Sequence, residues 1–471
     1  MDLWSAWSVW VQALRPACAR QATFEWMRIV LAGLCIRADR AGVTSLVRAL
    51  ALRPGAYLRL LHLFHSEALR LPQLTALWVR LCLERFAPFQ VGDAIVCLAD
   101  GIKVPKEGKK MPGVKKLHQE SSNNSKPEFI NGHSLQAFSL LVHTVGGCVT
   151  SIPLAARIHE GVIDCAAERL KTLLDRLVEL FFELVAPLAR RVILVADAYY
   201  ASGKVICPLL AAGHHLVTRV RRNAVAYRPA PGPRPRRRGR PRRYGEKIRL
   251  RDLLLDPEQP FVSALSPLYD DRNVTLAYQH QDLLWRPVGC LVRFVFVRHP
   301  RRGNLLLLAT DTTLDPLDVI ALYGYRFKIE VGFRQAVQGM GTYFYHFWMR
   351  TMTRRKRGAR GAQDLLKKSR LYKDHVRRKI RAYHRFVQLG CIAQGLLQLL
   401  AIQHRPSVWA RFRSWLRTMN PEQPPSELVV AQALRTSLPE YLAATADHGD
   451  LAKFLAPIRS PDLLRAYEPA A

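Results

Sequence analysis

The sequence predicts an α/β protein: a mixed sheet with helices on both faces, interrupted by an inserted β subdomain and flanked by helical N- and C-terminal regions. Three observations predict it. Two short apolar runs rich in β-branched residues, Ala94-Ile95-Val96-Cys97-Leu98-Ala99 and Val192-Ile193-Leu194-Val195-Ala196, have the composition of strands buried on both faces. Segments with helical spacing lie between and after them, which is the alternation of an α/β layer. A chain of 471 residues with 49% hydrophobic content has material for two to four packed units, each with a core.

Residues 1–92 show no strand signal but repeated apolar spacing of three and four, as in Trp26, Ile29, Val30 and Leu34, or Tyr57, Leu60, Leu61 and Phe64. This is a helical region. Within it Gly42-Val43-Thr44-Ser45 opens an apolar, Arg-bearing stretch from Leu46 to Leu52, and a second helix resumes after Pro54-Gly55. Such a turn is compatible with a helix-turn-helix DNA reader, and equally with any helical bundle.

From residue 93 to 220 the texture changes. The first buried strand ends in Asp100 and is followed by a Lys-rich loop (Lys103, Lys106, Lys109, Lys110, Lys115, Lys116). A strand pair follows at Ala137 to Val142 and Gly146 to Thr150, then an amphipathic helix from Asp164 to Ala186, closed by Pro187. The second buried strand also ends in an acid, Asp197, and leads to a helix (Ser202 to Leu210) and a strand (His215 to Val220). Residues 221–304 begin with a loop in which seven of the ten residues from Arg234 to Arg243 are Arg, broken by Pro235, Gly239 and Pro241, a composition that stays at the surface. The β insertion is read from Asn273 to Tyr278 and Cys290 to Val297. Residues 305–345 return to a buried strand at Leu305 to Thr310 and then a long helix from Asp315 to Val337, with Thr313 or Asp315 near its cap. Residues 346–471 are basic and helical: Arg350 to Arg385 carries 15 basic and two acidic residues, ahead of helical segments at Leu389 to Ile402 and Val408 to Met419.

Lys plus Arg number 71 against 37 Asp plus Glu, a formal net charge of +34. That excess is far beyond what solubility requires and implies a polyanionic partner, DNA or RNA. A basic protein adapted to membranes would carry a hydrophobic anchor or a terminal amphipathic basic helix, and neither is evident, nor is a run of ~18 uncharged apolar residues. Asp2 follows Met1 where a signal peptide would carry Lys or Arg, so the expected location is the cytoplasm, in association with the nucleoid. Nine scattered cysteines without a Cys-x-x-Cys pair read as small buried hydrophobes, with no zinc site, and the His214-His215 pair reads as structural.

Chemistry on a phosphodiester is typically served by two divalent ions ~3.5 to 4 Å apart, one activating the attacking oxygen and one stabilising the leaving oxygen. Mg²⁺ takes a few hard carboxylate ligands and keeps its other positions for water and phosphate. Asp100 and Asp197 stand in the same context, each after an apolar strand ending in Ala, and sites in α/β layers form at the carboxyl ends of strands. Acids beside strands also cap turns as a matter of course. The third element is more particular. Tyr323, Arg326 and Glu330 fall at i, i+3 and i+7 of one helix, on a single face within ~60°. There an Arg can grip a phosphate bidentately while Glu holds metal and Tyr contacts a phosphate or a base. The plain structural alternative is an intrahelical Arg–Glu pair worth a few tenths of a kcal/mol.

These motifs resemble the insertion-sequence transposases of the DDE class, in the group with a Tyr-x2-Arg-x3-Glu-x6-Lys signature. The residues that carry the resemblance are Ala99-Asp100-Gly101, Val195 to Tyr200, and Tyr323 to Arg334, within a span from about Ala94 to Tyr345. The resemblance implies an RNase H-like catalytic core with Asp100, Asp197 and Glu330 as catalytic and metal-binding residues, using two Mg²⁺ ions with Mn²⁺ as a substitute. It further implies double-stranded DNA as partner, both the terminal inverted repeats of the element and the target, and a homodimer or larger synaptic complex. The gap of 133 residues between Asp197 and Glu330 agrees with the β insertion of this group, in which an aromatic residue stacks on a flipped base; Trp285 is the candidate. One departure stands out: the position of the signature Lys is Val337, so that its phosphate contact is either missing or supplied by Arg334 or Lys328. Gly239-Arg240-Pro241-Arg242 resembles the minor-groove core of an AT-hook, and the Arg-rich loop, like Arg350 to Arg385, is expected to clamp phosphates without reading sequence. Two other functions share these residues: a transposase-derived DNA-binding protein without chemistry, and an RNase H-like nuclease without strand transfer.

Overall fold

The computed structural model describes residues 2–119, 127–231, 242–356, 358–417, 419–447 and 449–460. The chain opens with helices α1 (Leu3–Gln12), α2 (Gln21–Ile36), α3 (Thr44–Ala49), α4 (Ala56–His65) and α5 (Leu71–Arg85). The Asp2 side chain caps α1 by accepting from the Trp4 and Ser5 amides. The helix-turn-helix expectation would make α3 the first helix and α4 the second, groove-reading one. Helix α3 has six residues, under two turns; its Leu46 is buried so close to Gly33 of α2 that a Cβ there would lie 3.1 Å away, and its Arg48 is paired with Asp39. Helix α3 is thus held in the bundle, as the supporting first helix of such a turn would be.

The sheet is built from β1 (Ala94–Pro105), β2 (Lys115–His118), β3 (Phe129–His143), β4 (Val149–Ile158), β5 (Val192–Ala196) and β6 (His215–Arg219), with α6 (Leu173–Val185) before β5 and α7 (Gly203–Ala211) before β6. Thr172 begins α6 through a capping box with Asp175, so the predicted Asp164–Ala186 helix is split into a short turn of helix at Ala166–Leu170 and α6 itself. Strands β4, β3 and β1 pair antiparallel, and β1, β5 and β6 pair parallel, in the order β4-β3-β1-β5-β6. Three antiparallel strands continued by two parallel ones through helical crossovers make the RNase H-like layer that the resemblance implied.

The insertion departs from expectation. Its strands β7 (Val225–Pro229), β8 (Tyr244–Arg249), β9 (Thr275–Trp285) and β10 (Cys290–His299) form no separate subdomain. With β11 (Gly303–Ala309) they extend the catalytic sheet, β11 pairing antiparallel with β6 and the order running on through β10, β9, β7 and β8. The reason is edge chemistry: β6 would otherwise present unpaired amides and carbonyls at the border of a buried sheet, and β11 satisfies them.

Alternation along β1 and β5 sends residues to two cores. Ile95, Cys97, Ala99, Leu194 and Ala196 enter the larger core, which also takes in α6, α7 and the N-terminal helices, while Val96, Leu98, Ile193 and Val195 enter the core that holds α8 (Pro316–Tyr325) and Ile329 of α9 (Phe327–Arg334). Asp315 caps α8 as predicted; the helix runs on through Arg326 into α9, loosens into a π-type turn at Gln335–Met340, and stops at Gly341 with φ of 62°. Beyond it lie α10 (Arg370–Gln403) and α11 (Glu427–Ala444). Among the described residues α10 is the one helix long and apolar enough to cross a membrane, and 89% of that window is buried inside the fold. Its Phe386–Gln403 half carries no charge, which the search for purely apolar runs passed over because glutamines interrupt it. Those glutamines work: Gln388 donates to the Leu154 carbonyl at 2.8 Å, Gln398 to Ser151 at 3.2 Å and Gln394 to Gly332 at 3.2 Å, tying α10 to β4 and to α9.

Gly395 of α10 lies under Trp78, where a Cβ would come within 2.3 Å of the indole ring. Gly395→Ala is expected to destabilise by about 1–3 kcal/mol through overpacking, more than the ~1 kcal/mol by which Ala favours a helix. A urea unfolding midpoint equal to or above wild type contradicts this.

Candidate active site

Strand β1 does not end at Asp100 but continues to Pro105; what ends is its parallel pairing. The last β1–β5 partners are Ala99 and Ala196, so Asp100 and Asp197 each follow directly on the end of the parallel pairing, close enough for the Asp197 charge to act on Asp100. Asp197 accepts from the Ala198 amide and caps a single turn, Ala198–Tyr200, while its carbonyl accepts from the Thr218 hydroxyl at 2.9 Å. Asp100 accepts from the Gly101 amide at 2.7 Å. Two side chains brace the pair: the Tyr200 hydroxyl donates to Gln136 Oε1 at 2.8 Å, and Gln136 Nε2 donates to the Asp100 carbonyl at 3.0 Å. Tyr200 lies within a motif visible in the sequence, whereas Gln136, 1% exposed, shows there only as a lone amide ahead of an apolar strand run.

The α8–α9 helix brings in the third acid. Arg326 Nη1 lies 2.9 Å from Asp100 Oδ2 and Nη2 lies 2.7 Å from Glu330 Oε1, so one guanidinium bridges two of the predicted catalytic carboxylates. Its Cζ stands 6.0 Å from the centre of the Tyr323 ring. The helix is pinned in this rotation by fully buried Ile329, by Ser151 donating to the Lys328 carbonyl at 2.9 Å, and by Gln394 on Gly332. Arg219, the last residue of β6, follows the Ala196–Thr218 pair and so stands beside Asp197; its charge acts on Tyr323. It shares the strand-end context of the two aspartates, a signal that attaches to a base as well as to an acid.

Burial pushes the Asp100 carboxyl up to about 6; Arg326 and the Gly101 amide pull it down, and Glu330 and Asp197 push it further up. Burial pulls the Arg326 guanidinium down, but Asp100 and Glu330 outweigh it and hold the group above its ordinary value. Burial also raises the Tyr323 hydroxyl, which therefore keeps its proton.

The remaining predicted residues fall differently. Lys328 points off this face, with its ammonium 3.9 Å from the centre of the Tyr269 ring. Arg334 is exposed one turn past Glu330 and bonds Gln338 at 3.2 Å. Val337 packs against the main core, and its carbonyl accepts from Arg40 at 3.3 Å, so apolar packing stands where the resemblance led one to expect a Lys. Trp285 is corrected: it is 6% exposed and packs edge-on against Phe294 at 6.5 Å, a core position whose ring a base could reach only if the hairpin repacked. Arg242 is exposed just ahead of β8, and Arg240 lies outside the described residues.

The family model described as DDE superfamily endonuclease matches residues 13–265. The chain belongs to this family. The match takes in Asp100 and Asp197 and ends before Glu330, whose assignment rests on the geometry above. Membership makes the protein a nuclease- or transposase-type enzyme with DNA as its substrate. No curated protein matches the chain.

Members of this superfamily typically use divalent metals. The donors here fit such an ion in kind: three hard carboxylates, two of them already sharing a cation. Among the described residues no three ligand-type side chains stand close enough to grip one ion, and the Arg326 guanidinium lies between Asp100 and Glu330.

Because Asp100 is raised in the fold from 3.8 to about 6, its favourable contribution is full below pH ~4 and is lost as pH rises to about 6. In metal-free buffer Asp100→Asn is therefore expected to gain about 2–3 kcal/mol on wild type between pH 4 and pH 7. Unfolding curves that stay parallel across that range contradict the assignment.

Proposed function

We propose that this protein is a DNA transposase, cutting at the ends of a mobile element in a metal-dependent reaction and joining the freed 3′-hydroxyl to target DNA. The observation that carries the reading is the convergence of Asp100 and Asp197 on adjacent strands with Glu330 linked to Asp100 through Arg326. A net charge of +34 supports a duplex partner of extended footprint. The element's inverted repeats, a target duplex and a second copy of the chain complete the proposed synaptic complex, which works in the cytoplasm at the nucleoid.

Mg²⁺ ions, or Mn²⁺ in their place, held by Asp100, Asp197 and Glu330 would activate the attacking oxygen and stabilise the leaving one. The chain's own residues prepare that site. Tyr200 and Gln136 fix the backbone at Asp100, so the two aspartates keep one relative orientation. Arg326 offers a planar fork of donors that suits a phosphate as well as it suits two carboxylates, and once those are otherwise neutralised it can turn to a backbone phosphate. Tyr323, protonated and beside it, can donate to the same phosphate. Arg219 adds a second cation next to Asp197. One observation favours a second reading: with a half-buried Val337 at the position where the resemblance puts a Lys, that cation is absent, as in a protein that binds DNA without cutting it.

Incubation with Mg²⁺ and a duplex carrying the inverted repeats that flank the coding sequence separates the two. The expected result is cleavage at the repeat end followed by a joined product, with Asp197→Asn losing a thousandfold or more in rate, about 4 kcal/mol of barrier, while still binding the duplex. Cleavage without joining favours a nuclease. Binding with no cleavage overturns the enzymatic reading.

A further inference from the structure

Two basic stretches far apart in the sequence are knitted into one surface. The Arg355 amide donates to the Lys109 carbonyl at 2.9 Å, the Met349 amide to Lys110 at 3.0 Å, and the Lys116 amide to Ala359 at 3.0 Å. The β1–β2 loop and the segment after the Glu330 helix thus share a backbone network, and between them lies a cavity of about 250 Å³. Its floor is buried Lys106, whose ammonium is engaged by the Tyr343 and Tyr345 carbonyls. Its walls carry Lys109, Lys115, Arg355 and Lys356, with Asn131 at the side and Glu107 as the one acid.

Lys115 is paired with Glu160, but among the described residues no carboxylate lies within ion-pair distance of Lys109, Arg355 or Lys356. Arg355 is half-buried, and one of its nitrogens is tied to the Gly361 carbonyl at 2.6 Å, which fixes the guanidinium at the wall. Three cations gathered around a concave site whose one acid, Glu107, does not balance them repel one another, and an anion placed among them relieves that repulsion. The cavity also has a defined distance from the carboxylates. Asp100 and Pro105 are five residues apart on β1, both paired to β3, or about 17 Å at the rise of a strand. Duplex DNA covers that length in about five base pairs at 3.4 Å each.

On the far side of Gly108, Trp348 lies 3.6 Å from where a Cβ would stand and is 58% exposed. It borders a second cavity of about 840 Å³ that includes Arg20, Arg350, Arg378 and Lys379. The positive surface is therefore a track longer than one phosphate.

We propose that the cavity walled by Lys109, Arg355 and Lys356 is a phosphodiester-binding subsite that holds the DNA duplex about five base pairs from the point of cleavage. The proposal rests on DNA being the substrate. It is tested by fluorescence anisotropy of a labelled duplex in EDTA, so that binding is read without chemistry. Lys109→Ala/Lys356→Ala removes two exposed cations and is expected to weaken binding roughly tenfold to thirtyfold at 0.15 M salt, and to reduce the slope of log affinity against log salt by about two. Arg355→Ala added to the pair should bring a further loss, with thermal unfolding of both variants confirming an intact fold. A control pair, Arg413→Ala/Arg417→Ala, on an exposed loop elsewhere, should cost less; an equal loss reduces the effect to net charge and overturns the subsite. Inorganic phosphate should compete only at ionic-strength-like concentrations; competition below about 1 mM, lost in the lysine pair, assigns the cavity to a free anion and overturns it. Wild-type affinity in the lysine pair overturns the subsite while leaving the catalytic reading intact, whereas a wild-type protein that binds no duplex ends both.

Discussion

Everything at the carboxylate end of this sheet depends on where the positive charge of Arg326 sits. Asp100 is largely buried, and it shares its surroundings with Asp197 and Glu330. A buried carboxylate left without a partner costs several kcal/mol, and even a paired one does little better than break even, so the cluster persists only because the rest of the fold holds its counter-ion in place. That fixes the helix through Arg326 in rotation and in depth: a turn of the helix by one residue would swing the guanidinium ~100° away from Asp100. Ile329 in one core, Ser151 from β4 and Gln394 from α10 supply the grip.

That grip explains an arrangement that would otherwise look wasteful. Helix α10 runs 34 residues through the middle of the molecule, and its buried glutamines reach β4 on one side and the Glu330 helix on the other. The N-terminal helices close over the same core, which holds Trp4, Phe24 and Leu46 together with Leu396 and Leu400 of α10. The terminal regions are thus part of the scaffold that sets the site. Strain introduced at α10 is felt at α9 because close-packed interiors transmit displacement rather than absorb it.

Much of this was legible in the sequence, for identifiable reasons. The strands ending at Ala99 and Ala196 were visible because burial on both faces demands continuous apolar runs, and Arg326 and Glu330 were visible because helical periodicity puts them on one face. The edges of that legibility are just as physical. The continuation of β1 past Asp100 was hidden because Gly101 to Pro105 is buried on one face only and so alternates in polarity. Trp285 looked like a base-stacking residue because composition does not say which side of a strand faces the core. The insertion looked independent because sequence shows strands but not their partners, and the unpaired edge of β6 became apparent only with the sheet assembled. Gln136 and Arg219 carried no motif; their roles come from register alone.

The claim at the centre is that Asp100, Asp197 and Glu330 together hold the ions of a phosphodiester-cutting site. Iron-directed backbone cleavage addresses it without any DNA: Fe²⁺ replaces Mg²⁺, ascorbate and peroxide generate hydroxyl radicals at the bound metal, and the polypeptide is cut beside its ligands. The account predicts three cuts, close to residues 100, 197 and 330, all suppressed by excess Mg²⁺ and all lost together in Glu330→Gln. Cuts near 100 and 197 that persist unchanged in Glu330→Gln, or cuts clustered elsewhere in the chain, would contradict it.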